Sequence, residues 1–328
     1  MKHCLSGLTV REVNLGLIDL SIIIVTYNPG DLVLDTLHSL PAGAAGLSYE
    51  VIVVDNASTD GTPERIAREY PQTQMIINPD NRGFASANNQ GLERTRGRYL
   101  LLLNPDVIVQ AGALTRMIAF LESSPAAGVV GPRTFDGQGR VALTARTPLS
   151  ATVVLWQYLG LDRVFPYWVY GHYRRACEQA ALPFETGWVQ GSCLMARREV
   201  YEQIGGLDEA FFLFAEEADW CDRARSAGWQ VWYLPDACIV HYESTSAARH
   251  VPIKIRAHHL SPLYYFSKRE CRGAVLALKI GFTIELLVKI IIRLIQRLSG
   301  RADVAVHLRT YWTVLVEVWR YPFGQAAR

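Results

Sequence analysis

The sequence predicts an α/β fold in which a largely parallel sheet is covered by helices. Three observations lead there. Short β-branched or leucine-rich runs ("LSIIIVT", "YEVIVVD", "QMIIN" and "RYLLLLN") recur through the first third of the chain. Segments with helical apolar spacing separate them, and strands that alternate with helices form parallel sheets with both faces buried. Three of the runs lead to polar groups, at Asn28, Asp55 and Asp106. That is the carboxyl edge, where such sheets bind their ligands.

Taken in order, Leu20 to Thr26 is a buried strand closed by the turn formers Tyr27, Asn28, Pro29 and Gly30. Leu32, Leu34, Leu37 and Leu40 mark one face of a helix. The second strand ends at Asp55. After the turn "NASTDGT", Pro63 opens a helix that reaches about Tyr70. "QMIIN" is a short third strand, and "GFASANNQGLERT" a helix that starts after Gly83. The fourth strand runs into "LLLNPDVIV", where Asn104, Pro105 and Asp106 interrupt an otherwise apolar stretch. A carboxylate in a core strand needs a reason, and the ligand edge supplies one. A single polar strand end is commonly just a turn former, so the argument rests on three strands ending alike. No GxGxxG follows the first strand, which disfavours a dinucleotide site of the usual kind.

Residues 130–187 are irregular and rich in Trp, Tyr, Pro and Arg. They read as a mobile loop or as a surface that accepts a substrate. Beyond them "SCLMARR" is a strand and "REVYEQIGG" a helix closed by glycine. "EEADWCDRARSAG" is a second such helix. Its first turn carries Glu216, Glu217 and Asp219, acids that the helix dipole alone would favour. "QVWYLPDACIVHYESTS" reads as two short strands with His241 closing the second, a position where histidine is often only structural.

Composition sets the outer limits. A chain of 328 residues, half of them apolar, suffices for one large domain or two modest ones. With 33 basic and 31 acidic residues there is no bulk charge to hold nucleic acid. The six cysteines (Cys4, Cys177, Cys193, Cys221, Cys238 and Cys271) form no CxxC pair, which argues against a thiolate zinc site and fits a reducing compartment. Arg11, Glu12, Asn14 and Asp19 break any leader-like apolar run, so the expected location is the cytoplasm.

The motifs as a set resemble glycosyltransferase family 2. They are "IIIVTYN", "VIVVDNASTDGT", "NRGFASANNQGL", "LLLNPDV", "GSCLMARREVYEQIGGLDEAFFLFAEEADWCDRARSAGW" and "IVHYESTS", in the family's order over about residues 20–270. The resemblance implies the GT-A fold, a Rossmann-like mixed sheet flanked by helices. It is strongest to the rhamnosyltransferase-like branch, whose members build bacterial cell-surface polysaccharides. It implies roles by position. Thr26, Tyr27, Asn28 and Asp55 would hold the nucleotide base and ribose. Arg82, Gly83 and Asn88 would line the donor site near the ribose and diphosphate. Asn104 and Asp106 occupy the DxD element, with Asp106 binding Mg²⁺ or Mn²⁺ and His241 as second protein ligand. Glu217 would be the catalytic base, with Glu216 and Asp219 as alternatives, and Trp188, Gly191, Asp208 and Asp219 would shape the acceptor side. Two residues depart from the pattern. Asn104 stands where aspartate is frequent, removing one negative charge, and Glu217 stands where aspartate is commoner, one methylene longer.

The implied reaction is an inverting, metal-dependent transfer of a sugar to a cell-surface polysaccharide or polyprenyl-diphosphate-linked acceptor. L-Rhamnose from dTDP-rhamnose is the expected donor sugar, with glucose, galactose and N-acetylglucosamine open. The chemistry suits the residue types. A hard cation neutralises the leaving diphosphate, and a carboxylate takes the proton of a weakly nucleophilic hydroxyl. Two other readings stand beside it. A catalytically silent GT-A domain binding sugar nucleotide or glycan in an assembly would explain Asn104, but would need no base. A nucleotidyltransferase would want basic residues after the first strand, and "TYNPGD" has none.

The division expected is an extension over 1–19, a transferase domain over 20–270 and a membrane-association region over 271–328. In "VLALKIGFTIELLVKIIIRLIQRL" the residues Lys279, Glu285, Lys289, Arg293 and Arg297 share an arc of about 120° on a helix. So many charges disfavour a membrane span. The expectation is a peripheral helix lying on the inner face of the membrane, its basic stripe toward anionic headgroups. The alternative is a helix packed on its own domain or in a dimer. "VHLRTYWTVLVEVWRY" adds aromatic residues suited to the same interface.

Overall fold

The computed structural model describes residues 18–165, 171–242, 251–269, 271–298 and 304–323. The stretch read for a leader, nearly all of the expected 1–19 extension, Cys4 and the end of "IVHYESTS" lie outside the described residues.

Strands β1 (Leu20–Thr26), β2 (Tyr49–Asp55), β3 (Gln74–Ile77) and β4 (Tyr99–Leu103) alternate with helices α1 (Leu32–Gly43), α2 (Thr62–Glu69) and α3 (Phe84–Leu92). All four strands are parallel, in the order β3-β2-β1-β4. Then come β5 (Val107–Val109), α4 (Ala113–Ser123), β6 (Ala127–Phe135), β7 (Ala145–Arg146), α5 (Ala151–Tyr158), α6 (Leu161–Val164), α7 (Gly171–Gln179), β8 (Phe184–Glu185) and β9 (Trp188–Val189). The chain continues through β10 (Cys193–Arg197), α8 (Arg198–Ile204), α9 (Glu216–Ser226), β11 (Gln230–His241), α10 (Val251–Lys268), α11 (Arg272–Leu298) and α12 (Val304–Arg320). The main sheet goes on from β4 as β10-β6-β11-β5 and is mixed, because β10 runs antiparallel to both of its neighbours.

Side chains alternate across this sheet with the period of two that strands impose. Leu20, Ile22 and Ile24 of β1 join Leu101 and Leu103 of β4 under α1 and α4, where Leu37, Leu40, Leu114 and Met117 are buried. Ile23, Leu100 and Leu102 face the other way, against Ala85 of α3, Val200 of α8 and Trp220 of α9. The register Thr26↔Asp55 and Ile24↔Leu103 brings the carboxyl ends of three strands to one edge.

Three expectations change. The described residues of 130–187 are more ordered than they read: β6 runs into them, and α5 packs on α11 within a third core that includes Val154, Phe282 and Leu286. The segment read as two strands is one strand, β11, with an irregularity between Leu234 and Cys238 around Pro235. The charged arc of α11 does not all face outward. Lys279 is fully buried, its Nζ donating to the carbonyl oxygen of Tyr321 at 2.6 Å and capping the end of α12. Glu285 is buried against His259 Nε2 of α10 at 3.0 Å. The outward face of α11 is instead apolar, with Ile280, Ile284, Val288, Ile291 and Ile295 each about half exposed, and Trp312 and Trp319 of α12 exposed nearby. Among the described residues no helix is long and apolar enough to cross a membrane.

Leu101 sits at the centre of the sheet with no exposure. Leu101→Ala is expected to lower unfolding stability by about 2–5 kcal/mol, read from the urea midpoint.

Candidate active site

A cavity of about 460 Å³ opens at the carboxyl edge of β1, β2 and β4, a size suited to a small-molecule ligand. Five of the expected residues line it: Tyr27, Gly83, Asn104, Asp106 and His241.

Asp106 and His241 meet because of sheet pairing. Val107, the first residue of β5, pairs antiparallel with His241, the last of β11. The Tyr242 N–H donates to the Asp106 carbonyl at 3.1 Å and closes the ladder. The Asp106 carboxylate therefore lies 3.1 Å from His241 Nε2, both side chains over nine-tenths buried. Two ligands at right angles on one ion, each about 2.1 Å from it, are about 3 Å apart, so this spacing fits a hard divalent cation. Among the described residues no group of three or more His, Cys, Asp and Glu could hold a metal. The rest of a coordination shell would come from ligand oxygens and water. Asn104 stands beside the pair, its Nδ2 3.4 Å from His241 Nε2.

The other donor-side residues lie around or beneath this cavity. Thr26 Oγ1 donates to Asp55 Oδ1 at 2.6 Å, and the Ser58 N–H donates to Asp55 Oδ2 at 2.8 Å. Both side chains are fully buried, so they brace the strand ends. Asn28 adopts a left-handed conformation (φ 51°) and accepts the Thr59 N–H through Oδ1 at 2.7 Å. Asn88 is buried, donating to the Phe84 carbonyl at 2.9 Å within α3. Arg82 is exposed beside Asp80.

Gly83 has φ 83° and ψ 175°, a conformation open to glycine alone. A Cβ there would lie 2.5 Å from the carbonyl oxygen of Phe212. This contact lets the Phe84 N–H donate to that same oxygen at 2.8 Å, joining α3 to the segment before α9.

Glu217 stands in the first turn of α9, beyond the consecutive left-handed residues Phe214 and Ala215. Two adjacent non-glycine residues in that region are costly to hold and mark a constrained turn. Glu217 does not itself line the cavity, but it packs against Gly191, beside the lining residues Gln190 and Phe84. Burial raises its pKa, opposed by backbone N–H groups, including that of Gly191, and by Arg146. Glu216 is raised well above the carboxylate range by burial and by the Glu217 charge. One oxygen of each carboxylate is buried without a hydrogen bond. Trp188 lies under the Arg146 guanidinium, 5.2 Å from ring centroid to Cζ.

Asp208 and Asp219, expected on the acceptor side, are held in ion pairs. Lys268 Nζ reaches Asp208 at 2.7 Å and Asp219 at 3.1 Å, and Arg223 and Arg269 also pair with Asp219, which is fully buried. This cluster fastens α9 to α10, and neither acid lines the cavity.

Several lining residues escaped sequence reasoning. Asn56 Nδ2 donates to the Gly83 carbonyl at 3.1 Å, and Asn78 Nδ2 donates to Asn56 Oδ1 at 2.9 Å. The asparagines of "VDNAS" and "NPDNRG" were the available signal. Phe212, Phe214, Lys254 and His258 come from segments with no strand-end position to betray them.

The profile of glycosyl transferase family 2 matches residues 21–205, more than half of the chain. An N-acetylglucosaminyl-diphospho-decaprenol L-rhamnosyltransferase of Mycobacterium tuberculosis is 31% identical over 76% of this chain and 85% of its own. The rhamnosyltransferase WbbL of Escherichia coli is 23% identical over 76% of this chain and 93% of its own. Among solved structures, a mannosyltransferase of Pyrobaculum calidifontis in complex with GDP-Man and Mn²⁺ superposes with a TM-score of 0.52 at 17% identity, covering 93% of this chain and 86% of that one. This chain belongs to glycosyltransferase family 2, and it is a glycosyltransferase with rhamnosyltransferase relatives. The expected GT-A type α/β fold is the one observed.

Two outcomes test the geometry. Gly83→Ala should destabilise the fold by about 1–3 kcal/mol in urea titration, through strain and the clash with Phe212. A carboxyl whose pKa is raised by folding contributes stability below its unfolded pKa and loses it as pH rises through the folded value. Glu216→Gln should therefore raise the melting temperature at neutral pH, on the order of 1–3 °C, and the gain should vanish in acid. No gain at neutral pH would contradict the buried, repelled state of Glu216.

Proposed function

We propose that this protein transfers a single sugar, L-rhamnose from dTDP-rhamnose, with inversion, to a polyprenyl-diphosphate-linked or related cell-surface glycan acceptor. The observation that carries the reading is the Asp106–His241 pair inside a nucleotide-sized cavity, one residue layer from a buried glutamate. The relative from M. tuberculosis, an L-rhamnosyltransferase named for a decaprenol-linked acceptor, supports the choice of substrates.

Tyr27 and Asn56 hold the nucleoside end, with Thr26, Asp55 and Asn28 bracing the turn behind them. Asp106 and His241 would bind Mg²⁺ or Mn²⁺, with Asn104 beside them; a solved neighbour carries Mn²⁺. When bound, that ion supplies positive charge against the diphosphate that leaves. Glu217 takes the proton of the acceptor hydroxyl as the hydroxyl oxygen bonds to the anomeric carbon and the bond to the diphosphate breaks. Direct displacement turns a β-L-rhamnosyl donor into an α linkage. Glu217 is suited to this because burial raises its basicity while Arg146 and the Gly191 N–H favour its ionised form. Trp188 and Gly191 border the acceptor side.

The exposed apolar face of α11 and α12 supports docking on the inner face of the membrane, where a polyprenyl-linked acceptor resides. The sequence placed the charged arc toward the lipid. The geometry favours the reverse face, with isoleucines entering the headgroup boundary and exposed Lys289 and Arg297 at its margin.

Glu217→Gln should lower kcat at least 10²-fold while the dissociation constant for dTDP changes little. Near-normal turnover in that variant would remove Glu217 as the base. A double variant, Ile284→Glu with Ile291→Glu, should lose co-sedimentation with vesicles containing anionic lipid. Retained sedimentation would place the lipid contact elsewhere.

A further inference from the structure

The strand-edge residues Tyr27, Asn104, Asp106 and His241 account for part of the cavity lining. Ile253, Lys254 and His258 form another part, all from the first two turns of α10. Lys254 and His258 are four residues apart and share one helix face.

We propose that Lys254 and His258 are a diphosphate-binding element for the donor, with Lys254 as the fixed positive charge that the leaving group meets. The inference rests on the donor reading above and deepens it. Its first support is charge. Among the described lining residues Asp106 is the one acid and Lys254 the one lysine or arginine. A nucleoside diphosphate carries more negative charge than one divalent ion offsets, and a lysine on the rim is a suitable point charge for the remainder. Asn104, in place of an acid, leaves that anion less repelled.

The second support is how firmly α10 is held. On the side away from the cavity His259 Nε2 meets Glu285 of α11, and its Nδ1 lies 2.7 Å from the Ile255 carbonyl. Ser261 Oγ donates to the Leu213 carbonyl at 2.7 Å, and Tyr158 of α5 donates its hydroxyl to the His258 carbonyl. His258 itself stacks on Phe214, ring centroids 3.9 Å apart and planes 23° from parallel. These contacts fix the helix and the imidazole plane, while Lys254 lines the cavity with its side chain exposed. Burial, with Lys254 nearby, pushes the His258 pKa down to about 4. At neutral pH it is therefore an uncharged ring, offering one N–H rather than a second cation.

The test is calorimetric binding of dTDP, or whichever of UDP and GDP the wild type takes, against the matching nucleoside by competition, with Mn²⁺ held constant. Lys254 is exposed, so Lys254→Ala should fold normally. It should weaken diphosphate binding about tenfold, as loss of a charged hydrogen bond does, and leave nucleoside binding unchanged. Lys254→Arg should restore most of the loss. His258→Ala should weaken the diphosphate by a smaller factor, again without affecting the nucleoside. Diphosphate affinity kept within twofold in Lys254→Ala, or equal weakening of both ligands, would overturn the inference and leave the donor reading standing. A wild type that binds no nucleoside diphosphate at all would overturn the donor reading and this element with it.

Discussion

The pairing of Val107 with His241 is the contact on which the site depends. It joins a three-residue strand to the end of a twelve-residue one, across residues distant in the sequence. The pairing is secured from below, where Val107, Val109 and Ile239 enter the same core as Leu101 and Leu103. A shift of register by one residue would turn every one of these side chains over and part Asp106 from His241. The hydrophobic core therefore specifies how Asp106 and His241 meet.

Such an arrangement explains what could be read in the chain. The strands β1, β2 and β4 announce themselves by continuous apolar runs, and the polar residues that follow them were recognisable as an edge. Asp106 was legible for that reason. His241 was found at a strand end, but the strand was misjudged as two because Pro235 breaks the apolar pattern without ending the ladder. Asp208 and Asp219 look like site carboxylates in sequence. Only three dimensions reveal Lys268 at the end of α10 and Arg269 just beyond it, which pair with them. Helical periodicity showed that α11 has two faces but not which face packs inward. The inward face is set by partners outside the helix, the carbonyl ends of α12 for Lys279 and His259 for Glu285.

That last pairing gives α10 a double allegiance. One of its faces lines the cavity through Lys254 and His258, and the other is bound to α11 through His259. The helix that exposes its isoleucines outward is thus one layer from residues that line the cavity. Fold, cavity and apolar surface are parts of one packed unit, since α5, α10, α11 and α12 share a single core that also takes in Phe211 from the segment before α9.

The most direct test of the central claim is Mn²⁺ binding to the wild type, measured with and without dTDP. Two buried protein ligands should hold the ion weakly alone, and diphosphate oxygens should complete its shell. The account predicts weak Mn²⁺ binding by itself, a marked gain in affinity when dTDP is present, and by linkage the same gain for dTDP when Mn²⁺ is present. Mn²⁺ and dTDP affinities that are independent of each other would contradict it, and Asp106 and His241 would then be a structural pair at the end of the sheet.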